Sequence, residues 1–316
     1  MSLEQWVLSA SGSWDVDGAS PVFPRDTLIY GTYKPGPTTT GYRGTLTYVG
    51  DFTTTSHDQI VENLYISGRL LIKHHGVTVR NCYISGGTAS AAIENYASIT
   101  AYSAQAYDTN IYDCTIRGDV ATKYSAVGVQ GRDMNIYRCN ISGSIDGIGA
   151  QYANVGIYGC WVHDLAWYVD GWFGGTPTHN DSLQVHGGDN FTVIGNLFEN
   201  GYRGTSAMLI TQDVAATSNV IIDSNWFRST WVETPGNLRA DATATGLNIS
   251  QTGLTTAAIV NVQVTNNKFS ALETWRVNHA SLIDSGTYDL MVAAGKLYGN
   301  VYENTSTPAK ITRNQV

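Results

Sequence analysis

The chain has 316 residues, a formal net charge of −8 and only 14% charged residues. This balance argues against a nucleic-acid partner, because phosphate binding needs a basic patch. No apolar run approaches the ~20 residues that span a bilayer, so we expect no membrane-embedded segment. Low charge combined with 33 glycines is typical of short strands and turns.

The first 27 residues stand apart from the rest of the chain. They contain the apolar residues Trp6, Val7, Leu8 and Trp14 but do not match the repeat that follows. The start, Met1-Ser2-Leu3-Glu4, lacks the basic residues of a signal peptide. We predict that residues 1–27 form a cap or docking segment, because the end of a strand stack is an unpaired edge.

Residues 28–316 repeat a short motif in which two apolar residues flank a Cys or Asn slot. The slots are Cys82, Cys114, Cys139, Cys160, Asn196, Asn225, Asn267 and Asn300. Their intervals range from 21 residues (Cys139 to Cys160) to 42 residues (Asn225 to Asn267). A fixed motif at a variable period indicates stacked coils with inserted loops of different length.

Each slot follows a residue that we expect in the left-handed conformation between two short strands. These residues are Asn81, Asp113, Arg138, Gly159, Gly195, Ser224, Asn266 and Gly299. Six of the eight are Gly, Asn or Asp, the types that adopt this conformation at low cost. A third alternating strand precedes most copies, as in Leu183-Gln184-Val185-His186. The pattern predicts an all-β, right-handed parallel β-helix, a solenoid of three parallel sheets with about nine coils.

The slot cysteines are predicted to be free thiols that stack inside the solenoid. None lies in a C-x-x-C pair, and no histidine recurs at ligand spacing, which disfavours zinc. Buried free cysteine behaves as a small apolar residue. An asparagine ladder would replace the cysteines in the later coils.

The segment 179–196, which begins His179-Asn180-Asp181-Ser182, resembles a coil of the pectate-lyase-like β-helix superfamily. Segments 35–41, 66–73 and 212–220 are also similar to that group, closest to β-helix proteins of actinobacteria and their phages. The resemblance covers roughly Tyr30 to Glu303 and implies the β-helix fold. It leaves the activity open, because such folds host lyases, hydrolases, epimerases and non-enzymatic spikes.

A polar strip flanked by aromatic loops is the predicted ligand surface. The outward positions of the third strands are expected to be Gln130, Gln151, Gln184, His186, Thr211 and Asn248. The two longest loops contribute Trp167, Trp172 and Trp231, and His179 precedes the strip. Polar side chains bind sugar hydroxyls and aromatic rings stack on sugar faces, which favours a glycan. The alternative is a solvated sheet face.

The residues around Asp181 are the candidate catalytic group. Strand alternation is expected to place Ser182, Gln184 and His186 on one outward face. One interpretation is acid–base cleavage of a glycosidic bond, with Asp181 paired with Asp170 or Asp213 and assisted by His186. The alternative is that His179 and Asp181 bond the backbone at a corner.

The enzyme motifs of the superfamily are incomplete in this sequence. A polygalacturonase would require an Asp-Asp pair, a Gly-His-Gly and an Arg-x-Lys, whereas His186 follows Val185 and Asp181 follows Asn180. A pectate lyase would require carboxylates for calcium, and only Asp170, Asp181, Asp189 and Asp213, with Arg203 nearby, are available. We therefore predict no cofactor and no metal site, with calcium as the alternative.

Three functions remain compatible with the sequence. The first is a phage tail or receptor-binding spike that binds a cell-surface polysaccharide, with cleavage undecided. The second is a secreted polysaccharide lyase or glycoside hydrolase, and the third is a non-enzymatic adhesin. The expected location is a virion tail or the extracellular space. The expected partner is a glycan, and a homotrimer or other virion proteins are further candidates.

Overall fold

The computed structural model describes residues 29–86, 91–95, 106–118, 127–168, 178–200, 206–230, 245–271, 280–305 and 307–314. The predicted cap at residues 1–27 lies outside these ranges. Within them, no helix is long and apolar enough to cross a membrane.

The first of three parallel sheets follows the slot residues. It contains β1 (Thr47–Val49), β4 (Leu64–Ile66), β7 (Tyr83–Ile84), β10 (Thr115–Arg117), β13 (Asn140–Ser142), β15 (Trp161–His163), β17 (Leu197–Asn200), β20 (Trp226–Ser229), β23 (Lys268–Phe269) and β26 (Val301–Tyr302). These ten strands mark one coil more than the nine or so predicted, because β1 and β4 lack a Cys or Asn slot.

The second sheet holds the strands that the sequence placed upstream of the motif. It contains β2 (Phe52–Thr53), β5 (Leu70–Ile72), β8 (Ala91–Asn95), β11 (Val127–Gly131), the first parts of β14 (Asp146–Tyr158) and β16 (Leu183–Ile194), β18 (Ser206–Gln212), β21 (Thr245–Gly253), β24 (Ser281–Asp284) and β27 (Ile311–Asn314). Helix α1 (Ser285–Ala293) follows β24.

The third sheet closes each coil. It contains β3 (Ile60–Glu62), β6 (Thr78–Arg80), β9 (Thr109–Tyr112), β12 (Met134–Tyr137), the last parts of β14 and β16, β19 (Ser218–Asp223), β22 (Val260–Thr265) and β25 (Leu297–Tyr298). All three sheets pair equivalent strands of successive coils in parallel, so the predicted all-β parallel solenoid is confirmed.

The corner between the third and first sheets is built from left-handed residues. All eight positions predicted from the motif have φ between 49° and 69°, including Arg138 and Ser224. A second row of left-handed residues forms the corner between the second and third sheets: Asp108, Asp133, Asn154, Asn190, Asn219 and Asn261. Asn and Asp adopt the left-handed conformation at a lower energetic cost than other non-glycine residues, which permits the sharp bend at these positions.

The core is a set of in-register apolar ladders inside the prism. One runs through Ile136, Ile157, Val193, Ile222 and Val264, each at most 1% exposed. The side chains of Ile157 and Val193 thus point inward, as the alternation of their strands requires. Burial of such ladders supplies most of the stability of each coil, because an isolated coil has no core of its own.

The slot residues lie inside the prism and change character along the stack. The four cysteines are free and buried, as predicted. The four asparagines form a hydrogen-bonded ladder in which Asn196 Nδ2 donates to Asn225 Oδ1 and Asn225 Nδ2 donates to Asn267 Oδ1, both at 3.0 Å. Asn267 Nδ2 continues the ladder to Asn300 Oδ1.

A segment ahead of the first coil packs along the corner between the third and first sheets. Tyr30 accepts a hydrogen bond from Arg138 Nη1 at 3.1 Å, and Gly41 N–H donates to the Arg138 carbonyl at 3.0 Å. Arg43 N–H donates to Asn81 Oδ1 at 2.7 Å. Residues 29–46 thus tie several coils together on the edge opposite the second sheet.

Candidate functional site

The outward face of the second sheet carries the polar strip predicted from the sequence. Gln130, Gly149, Gln184, Leu209 and Asn248 are in register on consecutive coils. The three amide side chains are half-buried, whereas their strand neighbours point into the core. The row presents neutral hydrogen-bonding groups, with a gap at Gly149 and an apolar contact at Leu209.

His186 and Asp213 come together on this face. His186 is two residues beyond Gln184 on β16, and Asp213 directly follows β18 on the next coil. The distance from His186 Nδ1 to Asp213 Oδ2 is 3.5 Å. Thr211 donates its hydroxyl hydrogen to Asp213 Oδ2 at 2.6 Å, which fixes the carboxylate. The predicted outward position of Thr211 is largely covered, since its side chain is used in this contact.

The charge state of His186 follows from its surroundings. Burial lowers the pKa of His186, and the nearby Asp213 carboxylate offsets only part of that effect. The ring is therefore neutral near pH 7 and can accept a proton. Within the described part of the chain, Nε2 forms no hydrogen bond.

Gly149 leaves room beside the imidazole. A Cβ atom added to Gly149 would lie 3.5 Å from Val127 Cγ1, 3.6 Å from Gln130 Cγ and 3.7 Å from His186 Nε2, which are ordinary van der Waals distances. The absence of a side chain at this position keeps the outward row open between Gln130 and Gln184. His186 Nε2 therefore borders a space about the size of a methyl group beside Gly149.

As a catalytic group, Asp181 would have to project from the polar strip, and it does not. Asp181 is fully buried, and its Oδ1 accepts the Ser206 N–H at 3.1 Å. Ser182 is also fully buried and donates to the Glu199 carbonyl at 3.0 Å, so it is not on the outward face. Both residues precede β16, where strand alternation does not apply. Asp181 therefore bonds the backbone at a corner, as in the alternative interpretation, but the N–H group that it binds belongs to Ser206 on the next coil.

Asp146 is a titratable residue that the sequence reasoning missed. Its Oδ1 accepts the Asp181 N–H at 2.9 Å. Burial, followed by the neighbouring Asp181 carboxylate, raises the pKa of Asp146 to about 7, although Asp181 N–H and His179 act in the opposite direction. The sequence does contain a signal for Asp146. The segments Asp146-Gly147-Ile148 and Asp181-Ser182-Leu183 both place an aspartate two residues before the first apolar residue of the strand, and Ile148 pairs with Leu183 on successive coils.

The remaining predicted site residues are dispersed or lie outside the described ranges. Gln151 is half-buried on β14, Trp167 is half-buried in the segment that follows β15, and His179 is exposed. Asp170, Trp172 and Trp231 lie outside the described residues.

The carboxylates of the calcium alternative are not gathered in the described structure. Asp189 accepts hydrogen bonds from Ser218 and Asn219 at the second corner, while Asp213 contacts His186. In the ranges given above, no group of three or more His, Cys, Asp or Glu side chains could hold a metal ion. Asp170 and Arg203 lie outside those ranges.

Comparison with known proteins gives one family. The family described as right handed beta helix region matches residues 97–287, which is 191 of the 316 residues. Comparisons with curated proteins and with solved structures gave no match.

Proposed function

The chain belongs to the right-handed beta helix family, and on that premise we propose that it binds a polysaccharide along the outward face of the second sheet. The fold is consistent with proteins that bind or cleave polysaccharides, but a fold alone does not assign a ligand. The observation that carries the proposal is the in-register row from Gln130 to Asn248.

This row suits a polymer with repeated hydroxyl groups. Equivalent positions recur at about 4.8 Å along the stack. Amides occupy every second position, at Gln130, Gln184 and Asn248, so an extended ligand meets the same kind of group on alternate coils. Each Gln or Asn amide offers both donors and an acceptor, as sugar hydroxyls require. The row carries no Lys or Arg, which favours a neutral glycan over an acidic one.

Catalysis on the bound glycan is a second candidate function. One observation favours it, namely the neutral His186 imidazole held beside Asp213 on the same face. General bases in enzymes have this arrangement, in which a carboxylate orients the imidazole.

The proposed biological setting is a phage tail or receptor-binding spike, in a virion tail or at the cell exterior. The similarity of several segments to β-helix proteins of actinobacteria and their phages supports this setting. Neighbouring genes would test it, because tail-assembly and lysis genes are expected beside a spike. Sugar-transport genes would favour a secreted enzyme instead.

The binding proposal is tested with a panel of soluble bacterial cell-wall polysaccharides. We expect affinity electrophoresis to show retardation of the wild-type protein by at least one neutral polysaccharide. A heat-unfolded sample serves as the control for nonspecific retention. Unchanged mobility with every polysaccharide would contradict the proposal and leave a structural rod.

A further inference from the structure

The His186 imidazole lies between groups of the two neighbouring coils. Its Nδ1 contacts Asp213 on the following coil, and its Nε2 faces Gly149 on the preceding coil. We propose that His186 and Asp213 form a base–carboxylate dyad that hydrolyses O-acyl esters on the bound polysaccharide. The proposal rests on the glycan binding proposed above, because the glycan would carry the ester to the dyad.

The contacts define the role of each ring nitrogen. Asp213 Oδ2 lies 3.5 Å from Nδ1 and favours the tautomer that carries the ring hydrogen there, which leaves the lone pair on Nε2. Thr211 holds the carboxylate in place at 2.6 Å. The lowered pKa of His186 keeps the ring unprotonated at neutral pH, where a base is needed.

Two neutral amide side chains flank Gly149 in the outward row. Gln130 and Gln184 occupy the outward row one coil before and one coil after Gly149. Their side-chain amides can donate to an oxygen that becomes negatively charged in the open space beside Gly149. A neutral acyl group needs no cation in the row to balance its charge.

Two other reactions fit this face less well. Hydrolysis of a glycosidic bond uses two carboxyl groups on opposite sides of that bond. Asp181, which would complete such a pair, is fully buried and accepts the Ser206 N–H. Elimination from a uronic acid would place its carboxylate on a row without Lys or Arg and beside the Asp213 carboxylate.

The proposed step consumes one water molecule and one ester. The water oxygen attacks the acyl carbonyl carbon while one of its protons moves to His186 Nε2. The amides of Gln130 and Gln184 stabilise the oxyanion of the tetrahedral intermediate. Its collapse breaks the bond between the acyl carbon and the sugar oxygen, which takes the proton from Nε2. The products are a free carboxylic acid and a sugar hydroxyl.

Acetate release tests the proposal. The substrates are chemically O-acetylated forms of the polysaccharides that the wild type binds, together with p-nitrophenyl acetate as a small ester. We expect His186→Asn to reduce kcat by about 100-fold or more, the scale of a general base. The matched control is His57→Asn, an exposed histidine before β3, which should leave release unchanged.

The Asp213→Asn variant tests whether Asp213 positions the His186 imidazole or only stabilises the fold. Without the carboxylate, the pKa of His186 should fall further, because Asp213 raises it. The acidic limb of the kcat profile should move to lower pH while kcat falls and KM stays the same. A loss of fold would instead remove binding and release together.

The other possible results distinguish the esterase proposal from the glycan-binding proposal. Binding without acetate release, or release unaffected by His186→Asn, would overturn the esterase proposal and leave glycan binding intact. Reducing ends or unsaturated products that depend on His186 would assign the dyad to chain cleavage and overturn ester hydrolysis. His186-dependent release from p-nitrophenyl acetate with no polysaccharide bound would support the dyad and contradict the glycan proposal.

Discussion

Asp146 and Asp181 occupy the same position on neighbouring coils, so the parallel stack forces two carboxyl groups together. Asp181 is fixed by the Ser206 N–H, and Asp146 accepts the Asp181 N–H. Two close carboxylates cannot both ionise cheaply in a buried site. The pair therefore holds a proton at pH values where an ordinary aspartate is ionised.

This proton gives the protein a stability that depends on pH. The pKa of Asp146 is raised to about 7 in the folded chain, whereas an unfolded aspartate titrates near 3.9. The folded state binds more protons between these values, so stability decreases as pH rises from about 4 to about 7. At ~1.36 kcal/mol per unit, the loss is at most about 4 kcal/mol.

Asp146→Asn should remove this loss, because the amide oxygen can still accept the Asp181 N–H without ionising. We expect urea unfolding at pH 8 to show a more stable variant and at pH 4 to show little difference. The matched control is Asp189→Asn, whose exposed carboxylate has a lowered pKa and should give no stabilisation. Equal wild-type and Asp146→Asn stability at both pH values would contradict the raised pKa.

The exposure of individual site residues could be predicted only within strands. Gln184 and His186 lie in β16, and alternation places both on the outward face. Asp181 and Ser182 lie before the strand, where the chain turns and the period of two ends. The contact of His186 with Asp213 could not be found from spacing, because a loop of variable length separates the coils.

At the scale of elements, the slot ladder joins successive coils through two kinds of interaction. The cysteine positions contribute packing and weak sulfur hydrogen bonds, such as Cys139 N–H to Cys160 Sγ at 3.4 Å. The asparagine positions contribute stronger hydrogen bonds to the coils on both sides. Asn225 Oδ1 accepts both the N–H and a side-chain hydrogen of Asn196, and its Nδ2 also donates to the Val193 carbonyl. Buried polar groups of this kind are costly to leave without a partner.

Asn225→Ala and Cys139→Ala compare the two interactions at the same place in the motif. Asn225→Ala leaves several buried groups unsatisfied at about 1–3 kcal/mol each, for a total of about 3–6 kcal/mol. Cys139→Ala removes one small buried atom and should cost roughly 1 kcal/mol. Urea unfolding measures both; a loss for Cys139→Ala as large as that for Asn225→Ala would contradict the ladder account.

Most strands and bends were predictable because each coil repeats the same local requirements. A left-handed residue, an inward slot and alternating neighbours recur, so even Arg138 and Ser224 were assigned correctly. Strands β1 and β4 could not be recognised from the motif, because they lack the Cys or Asn slot. Residues 29–46 escaped prediction for another reason, since they run across the coils and contact residues as distant as Arg138.

The sides of the solenoid differ in what covers them. Ten coils at about 4.8 Å give a stack roughly 43 Å long, and residues 29–46 cover the edge between the third and first sheets. The second sheet lies opposite that edge and carries the amide row with His186. A linear glycan placed along this face would contact several coils at once, so affinity would be distributed over the row.

The binding face is tested most directly by the dissociation constant for the polysaccharide that retards the wild type. The double variant Gln184→Ala/Asn248→Ala removes two amides of the row, and Gln263→Ala, half-buried on β22 of the third sheet, is its matched control. At about 0.5–1.5 kcal/mol per hydrogen bond, we expect the double variant to raise Kd by roughly 5- to 100-fold. The control should bind as tightly as wild type. Wild-type affinity in the double variant, or an equal loss in Gln263→Ala, would contradict binding along the second sheet.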